Sequence, residues 1–422
     1  MGSDRSIPLA FDGRPEWTAR AAEFARRHEN AVLAGVERAL FRRARRAPRT
    51  VGVWRVGMIG DTLAALPALE AIRDAHPDAE LVLFTSPGPD AAPGARELLV
   101  NSPVVDRLVR WSREEQAELG RRGFVARLAR ERVDRLFVLP QDRTTPRLEL
   151  RTLLALRAAG FGDVRGARVT TAHFLPARFA RAHDRALRWP SVAERLLAHA
   201  RAHGAVRADG TPGSPTNTAL VLDDALVARA RAALASVAPG EAPLLCLAPG
   251  AKLEHKRWPA ARFGLLARRW LEAGGRAVVL GGPGDAALAD GVARAAGRPV
   301  PHLCGRTDLR ESAALLADAD ALVSNDTGTM HLGAAVGTPL VALFSGWDRR
   351  GAWDPWCADP DRPPVVLRRP APCSPCVAPS CGALTAGVPA CLEIGVDAVW
   401  AALERTARRR PGAAAALARP AA

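Results

Sequence analysis

Short apolar runs alternate with longer helical stretches along most of this 422-residue chain, and the series occurs twice. The first series of strand-like runs is VGVWRV, AELVLFTS, VDRLVRW and VDRLFVLP, and the second is APLLCLAPG, RAVVLGGPG, DALVSNDTG and PLVALFSG. Strands separated by helical stretches form parallel sheets with crossover helices. Because 422 residues also exceed what one core ordinarily organises, we predict an α/β protein with two Rossmann-like domains.

A polar segment separates the two series and predicts where the domains divide. Residues 201–218, RAHGAVRADGTPGSPTNT, are rich in glycine and proline and are typical of a linker. The predicted division is an N-terminal basic helical extension at 1–48, a first domain at 49–218, a second domain at 219–405 and an Ala/Arg/Pro-rich tail at 406–422. Ligands of such sheets bind beyond the carboxyl ends of the strands. Functional residues are therefore expected there, in a cleft between the two domains.

The N-terminal extension has a helical pattern with two interpretations. Trp17, Phe24, Val32 and Leu40 recur at helical spacing over about residues 15–47, and the pattern ends in the arginine-rich run FRRARRAPR. The helix either packs on the first domain with a solvated outer face or rests on an anionic membrane surface. The apolar stripe is thin, which favours the first interpretation.

Charge and composition restrict the class of partner. The formal net charge of +15 favours anionic partners such as phosphorylated substrates or acidic lipids. Tyrosine is absent and aromatic residues make up 5%, which argues against stacking on nucleic-acid bases. No apolar run approaches the roughly 18 residues needed to span a bilayer, and the first residues do not resemble a secretory signal. A cytoplasmic protein is expected.

The first candidate motif is WRVGMIGDTLAALPAL, where a strand leads into a helix. Gly57 and Gly60 allow the backbone to approach a ligand, and Asp61 lies where the helix begins. Asp61 either caps the helix or accepts a proton from a substrate hydroxyl. These residues alone favour the capping role.

The second motif is APGAKLEHKRWPAARFGLLA, a strand followed by a basic loop. Lys252, His255, Lys256 and Arg257 occur within six positions, and Pro259 stands where the next helix begins. Four basic groups at the end of a strand indicate a diphosphate site rather than an ordinary solvated loop.

The third motif, SNDTGTMHLGAAVGTPLVALF, is the most specific. A buried strand ends at Asp326, and a helix of small residues starts at about Met330. Free N–H groups and the helix dipole make such an N-terminus an anion site. Thr327 and His331 add donors, and Gly328 allows close approach. Capping by Asp326 and a core role for His331 are the simpler alternatives for each residue taken singly.

Taken together, the three motifs resemble those of glycosyltransferase family 9, the heptosyltransferases, in the same order and over roughly residues 50–405. The resemblance implies a GT-B fold, in which two Rossmann-like domains face a cleft. It also implies an inverting transfer from a nucleotide sugar, commonly ADP-heptose, to an acceptor such as the lipopolysaccharide inner core.

The resemblance also assigns roles to individual residues. Asp61 matches the general base, with Gly60 beside it. Lys256, with Lys252, matches the donor-phosphate contact, and Asp285 lies where the family commonly has a glutamate for the donor ribose. The diphosphate-binding turn is matched by the run Asp326, Thr327, Gly328, Thr329, Met330 and His331. This chain departs from the family in the aspartate at 285, in Ala251 and Lys252 where small hydroxyl residues are usual, and in Thr329 where proline is common.

The late cysteines Cys373, Cys376, Cys381 and Cys391 have three interpretations. They are free thiols near the donor site, a structural four-thiolate zinc site, or disulfides. A reducing cytoplasm favours free thiols.

We therefore predict an inverting glycosyltransferase that uses a nucleotide sugar, requires no cofactor, and acts on an anionic glycolipid or polysaccharide. Peripheral contact with the inner face of the cytoplasmic membrane accompanies that prediction, and no nucleic-acid partner is expected. Two alternatives remain: a sugar-nucleotide 2-epimerase of the same architecture, and a non-catalytic protein that binds nucleotides or nucleic acid.

Overall fold

A computed structural model describes residues 16–44, 46–86, 94–175, 177–357, 363–378, 380–382, 384–385 and 387–407. The chain forms two compact units. The first comprises Met1–Val221 with Arg350–Ala352, and the second comprises Leu222–Arg349 with Trp353–Ala422. No helix among the described residues is long and apolar enough to cross a lipid bilayer.

The first unit is built on a five-stranded parallel sheet with the strand order β3-β2-β1-β4-β5. Its strands are β1 Thr50–Trp54, β2 Glu80–Thr85, β3 Arg107–Arg110, β4 Arg135–Val138 and β5 Val164–Arg165. Helices cover a parallel sheet on both faces, so its central strands read as continuous apolar runs. All four residues of β4 are accordingly buried.

The helices of the first unit begin at side chains that accept hydrogen bonds from the first turn. Ser112 accepts from the N–H of Glu115, and Thr145 accepts from that of Leu148. The helices are α1 Trp17–Leu40, α2 Ile59–Ala75, α3 Ala95–Leu98, α4 Arg113–Ala129, α5 Pro146–Ala158, α6 Ala177–Ala186 and α7 Val192–Ala202. Gly120 has φ 62° and breaks the regular helical backbone within α4.

The second unit repeats this plan with the strand order β10-β9-β8-β6-β7, again parallel throughout. Its strands are β6 Leu244–Ala248, β7 Arg276–Val279, β8 Ala321–Asn325, β9 Leu340–Phe344 and β10 Val365–Arg368, and a small antiparallel pair follows as β11 Leu384–Thr385 and β12 Val388–Pro389. The expectation of two parallel-sheet α/β halves is therefore confirmed.

The helices of the second unit surround its sheet. They are α8 Asp224–Ala235, α9 Ala260–Glu272, α10 Ala286–Ala296, α11 Leu309–Asp318, α12 Gly328–Ala335 and α13 Val396–Ala407, with short 3₁₀ turns at Glu254–Lys256, Pro283–Asp285 and Ala390–Leu392. Trp258, Phe263 and Trp270 are fully buried in the core of this unit.

Two segments differ from their predicted roles. The segment predicted as a linker, 201–218, is hydrogen bonded within the first unit. The Glu70 carboxylate of α2 accepts hydrogen bonds from the N–H groups of Thr216, Asn217 and Ala219. The end of this segment is therefore packed against a helix of the first unit and is not a free linker. The N-terminal helix is shorter than predicted and packs on α5 and α6 within the first unit.

Candidate functional site

In the first unit, the candidate site lies where the strand order reverses. The central strand β1 has β2 on one side and β4 on the other, and ligands of open parallel sheets bind beyond the strand ends at such a switch point. The residues that follow β1 and β4 are joined there, because the Gln141 side chain donates a hydrogen bond to the Val56 carbonyl at 2.6 Å.

Asp61 occupies this position as the third residue of α2. Its Oδ2 accepts the Met58 N–H at 3.1 Å, and its Oδ1 pairs with Nη2 of Arg55 at 3.1 Å. Arg55 is 2% exposed and also donates to the Pro140 carbonyl. Burial lowers the pKa of Arg55, and the carboxylates of Asp61 and Asp142 oppose that shift.

The Asp61 side chain is therefore held in orientation while 29% of it stays exposed. Gly57 is required beside it, since a Cβ at Gly57 would overlap the Asp61 side chain. Gly60 is the second residue of α2 and is partly exposed. A fixed, accessible carboxylate is the geometry that a general base needs.

A cavity of about 50 Å³ adjoins the same strand ends in the first unit and carries cationic side chains. Arg168 and Arg195 line it together with Asp142 and His199. Arg195 lies 3.5 Å from Asp142 Oδ1 and stacks over Trp189. Complete burial lowers the pKa of His199 well below its usual value, so the cationic character of this cavity comes from arginine.

In the second unit, the corresponding switch point lies between β6 and β8. Lys256, in the 3₁₀ turn after β6, forms an ion pair with Asp326 at the end of β8. Its Nζ also lies 5.1 Å from the ring centroid of Trp347. The Lys256 and Asp326 side chains are only 14% and 9% exposed. The structure thus brings together two residues that the second and third motifs supplied separately.

Asn325 holds the loop after β6 against the turn before α12. This fully buried side chain accepts the Trp258 N–H at 3.0 Å and donates to the Pro249 carbonyl at 2.7 Å. The turn before α12 and the loop after β6 are therefore parts of one rigid arrangement.

Helix α12 begins two residues after Asp326, at Gly328. Thr327 precedes the helix without a side-chain capping bond, so the first N–H groups, at Gly328, Thr329 and Met330, have no side-chain cap. The Met330 side chain is fully buried, so only its backbone can serve a ligand. His331 is also buried and packs edge-on against Trp353, as the core interpretation of this residue predicts.

Asp285 lies beside the loop that follows β6. Its Oδ2 accepts the Gly282 N–H at 2.9 Å, and a Cβ added at Gly250 or Gly281 would overlap its carboxylate. The glycines therefore allow this short acid to lie close to two strand ends, where it is partly exposed.

The basic loop carries less charge than its composition indicates. Burial, with the neighbouring Lys256 charge, lowers the pKa of His255, so this imidazole is neutral at pH 7. Asp326 balances the charge of Lys256. Lys252 is exposed, and Arg257 donates to the Ala251 carbonyl. Lys252 and Lys256 are the only two lysines among the 59 lysine and arginine residues of the chain.

The late cysteines gather without forming a recognisable metal site. All seven cysteines are free in this structure. Burial raises the pKa of Cys391, and Cys381, Cys373 and Cys376 add to that rise, so the four lie within electrostatic range of one another. Within the described ranges, however, no three cysteine, histidine or acidic side chains are placed to share a metal ion, and the zinc interpretation gains no support.

Sequence reasoning missed three side chains that organise these sites. Arg55, Asn325 and Trp347 each contact a predicted site residue or its loop. Arg55 had a usable signal, since it is a charged residue directly after an apolar strand. The contact between Trp347 and Lys256 joins positions 91 residues apart and has no local signal.

Two parallel-sheet units, each with polar groups gathered at its switch point, are the architecture of the two-domain glycosyltransferases. The family model described as "Glycosyltransferase family 9 (heptosyltransferase)" matches residues 154–382, more than half of the chain. The chain belongs to glycosyltransferase family 9.

Curated relatives agree with this assignment. The chain is 26% identical over 296 residues to lipopolysaccharide heptosyltransferase 2 of Salmonella typhimurium, a match that covers 68% of this chain and 80% of that protein. It is 34% identical over 110 residues to lipooligosaccharide heptosyltransferase 2 of Haemophilus influenzae, covering 25% of this chain and 32% of that protein.

Solved structures confirm the fold. ADP-heptose lipopolysaccharide heptosyltransferase II of Escherichia coli superposes with a TM-score of 0.59 at 21% identity, covering 85% of this chain and 99% of that one. The E. coli heptosyltransferase WaaC with ADP gives a TM-score of 0.55 at 18% identity, with the same coverage. The predicted GT-B fold, family and enzyme class, a glycosyltransferase, are thus confirmed. The family assignment favours neither the epimerase nor the non-catalytic alternative.

Proposed function

We propose that the protein transfers a heptose from ADP-heptose to an anionic glycolipid, the inner core of lipopolysaccharide. The observation that carries the proposal is the Lys256–Asp326 pair, which lies beside the opening of α12 in the second unit. A lysine ammonium next to free helix N–H groups is a site for a diphosphate. The names of the relatives from Salmonella typhimurium and Escherichia coli supply the sugar and the acceptor.

In the proposed reaction Asp61 is the general base. An acceptor hydroxyl gives its proton to the Asp61 carboxylate, and the oxygen forms a bond to the anomeric carbon of the donor. The bond from that carbon to the diphosphate oxygen breaks on the opposite face, so the configuration inverts and ADP leaves with the electron pair. The ion pair with Arg55 holds the carboxylate in orientation before the proton arrives.

The leaving diphosphate is stabilised by groups of the second unit. Lys256 and Lys252 supply positive charge, and the N–H groups of Gly328, Thr329 and Met330 supply donors. Because Asp326 balances the charge of Lys256, the N–H groups at the start of α12 contribute to the net attraction alongside the two lysines. Asp285 is the proposed partner of the donor ribose.

The acceptor is proposed to bind in the first unit. Arg168 and Arg195 line the cavity beside the β4 end, next to the Pro140 carbonyl that Arg55 contacts. Guanidinium groups there suit the carboxylates or phosphates of an acidic glycolipid. Since such an acceptor is anchored in a bilayer, we also propose peripheral contact with the inner face of the cytoplasmic membrane.

The proposal is tested by incubating the purified protein with ADP-heptose and lipopolysaccharide acceptors truncated either before or after their first heptose. We expect equimolar ADP release and a mass gain of one heptose on the acceptor, with inversion seen in the anomeric NMR signal of the product. Arg268→Ala, an exposed cation on α9 away from both sites, is the matched control and should leave the rate unchanged. Nucleotide release without acceptor modification would contradict the proposal.

A further inference from the structure

Helix α1 directs three glutamates, an arginine and an asparagine toward the protein. Glu23, Arg26, Glu29, Asn30 and Glu37 are all buried in this helix. A surface helix ordinarily buries its apolar face and exposes its polar one. In α1 these five polar side chains are buried instead.

The buried polar groups are satisfied by the backbone that follows β5. Glu37 Oε2 accepts the N–H groups of Gly166 and Ala167 at 2.8 and 2.9 Å. Asn30 accepts the Val169 N–H at 2.8 Å and donates to the Val169 carbonyl at 3.1 Å. Hydrogen bonds of this kind remove the cost of burying polar groups, so the orientation of α1 is fixed.

The opposite side of α1 is apolar and exposed. Trp17, Phe24 and Val32 are 70%, 64% and 60% exposed, and their spacing of seven and eight residues places them along one side of the helix. Phe174 is 72% exposed, and its N–H is held by the buried Glu29 of α1 at 2.7 Å. We call these four side chains the α1 outer face.

Arginines flank the α1 outer face. Arg20, Arg27 and Arg38 are exposed on one side of the same helix. Helix α6, which packs against α1, exposes Arg178 and Arg181. Large apolar side chains bordered by arginine are the composition of helices that lie in the interface of an anionic bilayer.

We propose that the α1 outer face docks the first unit on an anionic lipid surface, with the apolar side chains among the acyl chains and the arginines at the headgroups. The α1 outer face is then the surface that makes the membrane contact included in the proposed function. Only the biological purpose of the docking rests on that function. Charge complementarity selects an anionic bilayer as the occupant, because exposed guanidinium groups of α1 and α6, Arg38, Arg178 and Arg181 among them, border the apolar side chains.

Vesicle flotation tests the proposal with the full chain. We expect binding to vesicles that contain phosphatidylglycerol, weak binding to pure phosphatidylcholine vesicles, and release by salt. Phe24→Ser with Val32→Ser should abolish most of the binding. Arg20→Gln with Arg38→Gln should weaken it on the order of 30-fold, since each basic group near such a surface contributes about a fivefold factor. The matched control, Leu265→Ser with Arg268→Gln on α9, should bind like the wild type.

Three outcomes would overturn the proposal: no binding of the wild type to anionic vesicles, equal binding by the Phe24/Val32 variant, or a wild-type dimer in light scattering that this variant converts to monomer. The last result would assign the face to a second copy of the chain. Heptose transfer to a deacylated, water-soluble acceptor should be unchanged in the α1 variants. Failure of that transfer in the wild type would refute the proposed function and leave the docking result standing.

Discussion

The Asp61 carboxylate combines a structural role with its proposed role as general base. Its oxygens accept the Met58 N–H and pair with the buried Arg55, and each retains a further lone pair for a substrate proton. The capping interpretation from the sequence is thus partly realised, although Asp61 lies at the third helical position rather than before the helix. Neither role excludes the other, so a single variant affects both.

Asp61→Asn should lower the transfer rate about 10²–10⁴-fold, because an amide cannot accept the proton. It should also lower the melting temperature by several degrees, since Arg55 loses a charged partner worth about 1–3 kcal/mol. Glu194→Gln is the control, because Glu194 closes a similar capping box at α7 through the Ser191 N–H. Calorimetry and initial rates on both variants separate the roles. A rate for Asp61→Asn within a few-fold of wild type would remove Asp61 as the base.

Lys256 should prove specific for lysine rather than for positive charge. Its slot between Asp326 and Trp347 suits a compact ammonium and not a planar guanidinium. Lys256→Ala should weaken ADP binding roughly 10- to 100-fold, since a charge-assisted hydrogen bond is lost, and Lys256→Arg should recover only part of it. Titration calorimetry measures the affinity of both variants for ADP. Wild-type affinity in the alanine variant would place the diphosphate elsewhere.

At the level of elements, the central strands and the edge strands β3 and β7 were predictable, but the edge strands β5 and β10 were not. Most residues of β1, β2, β6, β8 and β9 are buried, so these runs are largely apolar. The edge strand β5 has only two residues, and none of the four residues of β10 is fully buried. Such strands lack the apolar signal that periodicity detects. The positions of Asp61, Lys256 and Asp326 were predictable because strand ends are local features, whereas the pairing of Lys256 with Asp326 depends on how the chain folds back.

Helix α5 carries a carboxyl group that makes stability depend on pH. Burial raises the pKa of Glu149 from about 4.5 to about 7, against an opposing hydrogen bond from Thr144. The folded protein therefore keeps a proton that the unfolded chain releases above about pH 4.5, so the free energy of unfolding falls as pH rises from about 4.5 to 7. Glu149→Gln should remove this loss and gain about 2–3 kcal/mol at pH 8, with little change at pH 4.

Denaturant titrations at pH 4 and pH 8 measure the effect of Glu149→Gln. Glu118→Gln is the control, because Glu118 is exposed on the neighbouring helix α4 and should show no pH-dependent difference. An equal change in stability at both pH values would mean that Glu149 is not the group that titrates.

For the whole molecule, the repeated α/β plan followed from the sequence, but donor identity does not follow from the fold. We propose that the turn and loop of the second unit contact the diphosphate, which every nucleotide sugar shares. Of the proposed donor contacts, only Asp285 bears on the nucleoside, through the ribose.

A thermal-shift series with ADP, GDP and UDP identifies the nucleobase that the donor site prefers. A ligand that binds only the folded state stabilises it by about 2.7 kcal/mol at a hundred times its dissociation constant. We expect ADP to raise the melting temperature most, and Asp285→Ala to reduce that shift without affecting the shift caused by pyrophosphate. Equal shifts for all three nucleotides would contradict adenine selectivity.

The scarcity of lysine gives this protein a built-in spectroscopic label. Only Lys252 and Lys256 carry an ε-amine, and both lie in the loop that follows β6. Reductive methylation with ¹³C-formaldehyde would therefore place isotopic methyl groups at just these two side chains and at the terminal amine. Occupancy of the loop by a nucleotide could then be followed in a spectrum of three resonances, without assigning any other signal of a 44.8 kDa chain.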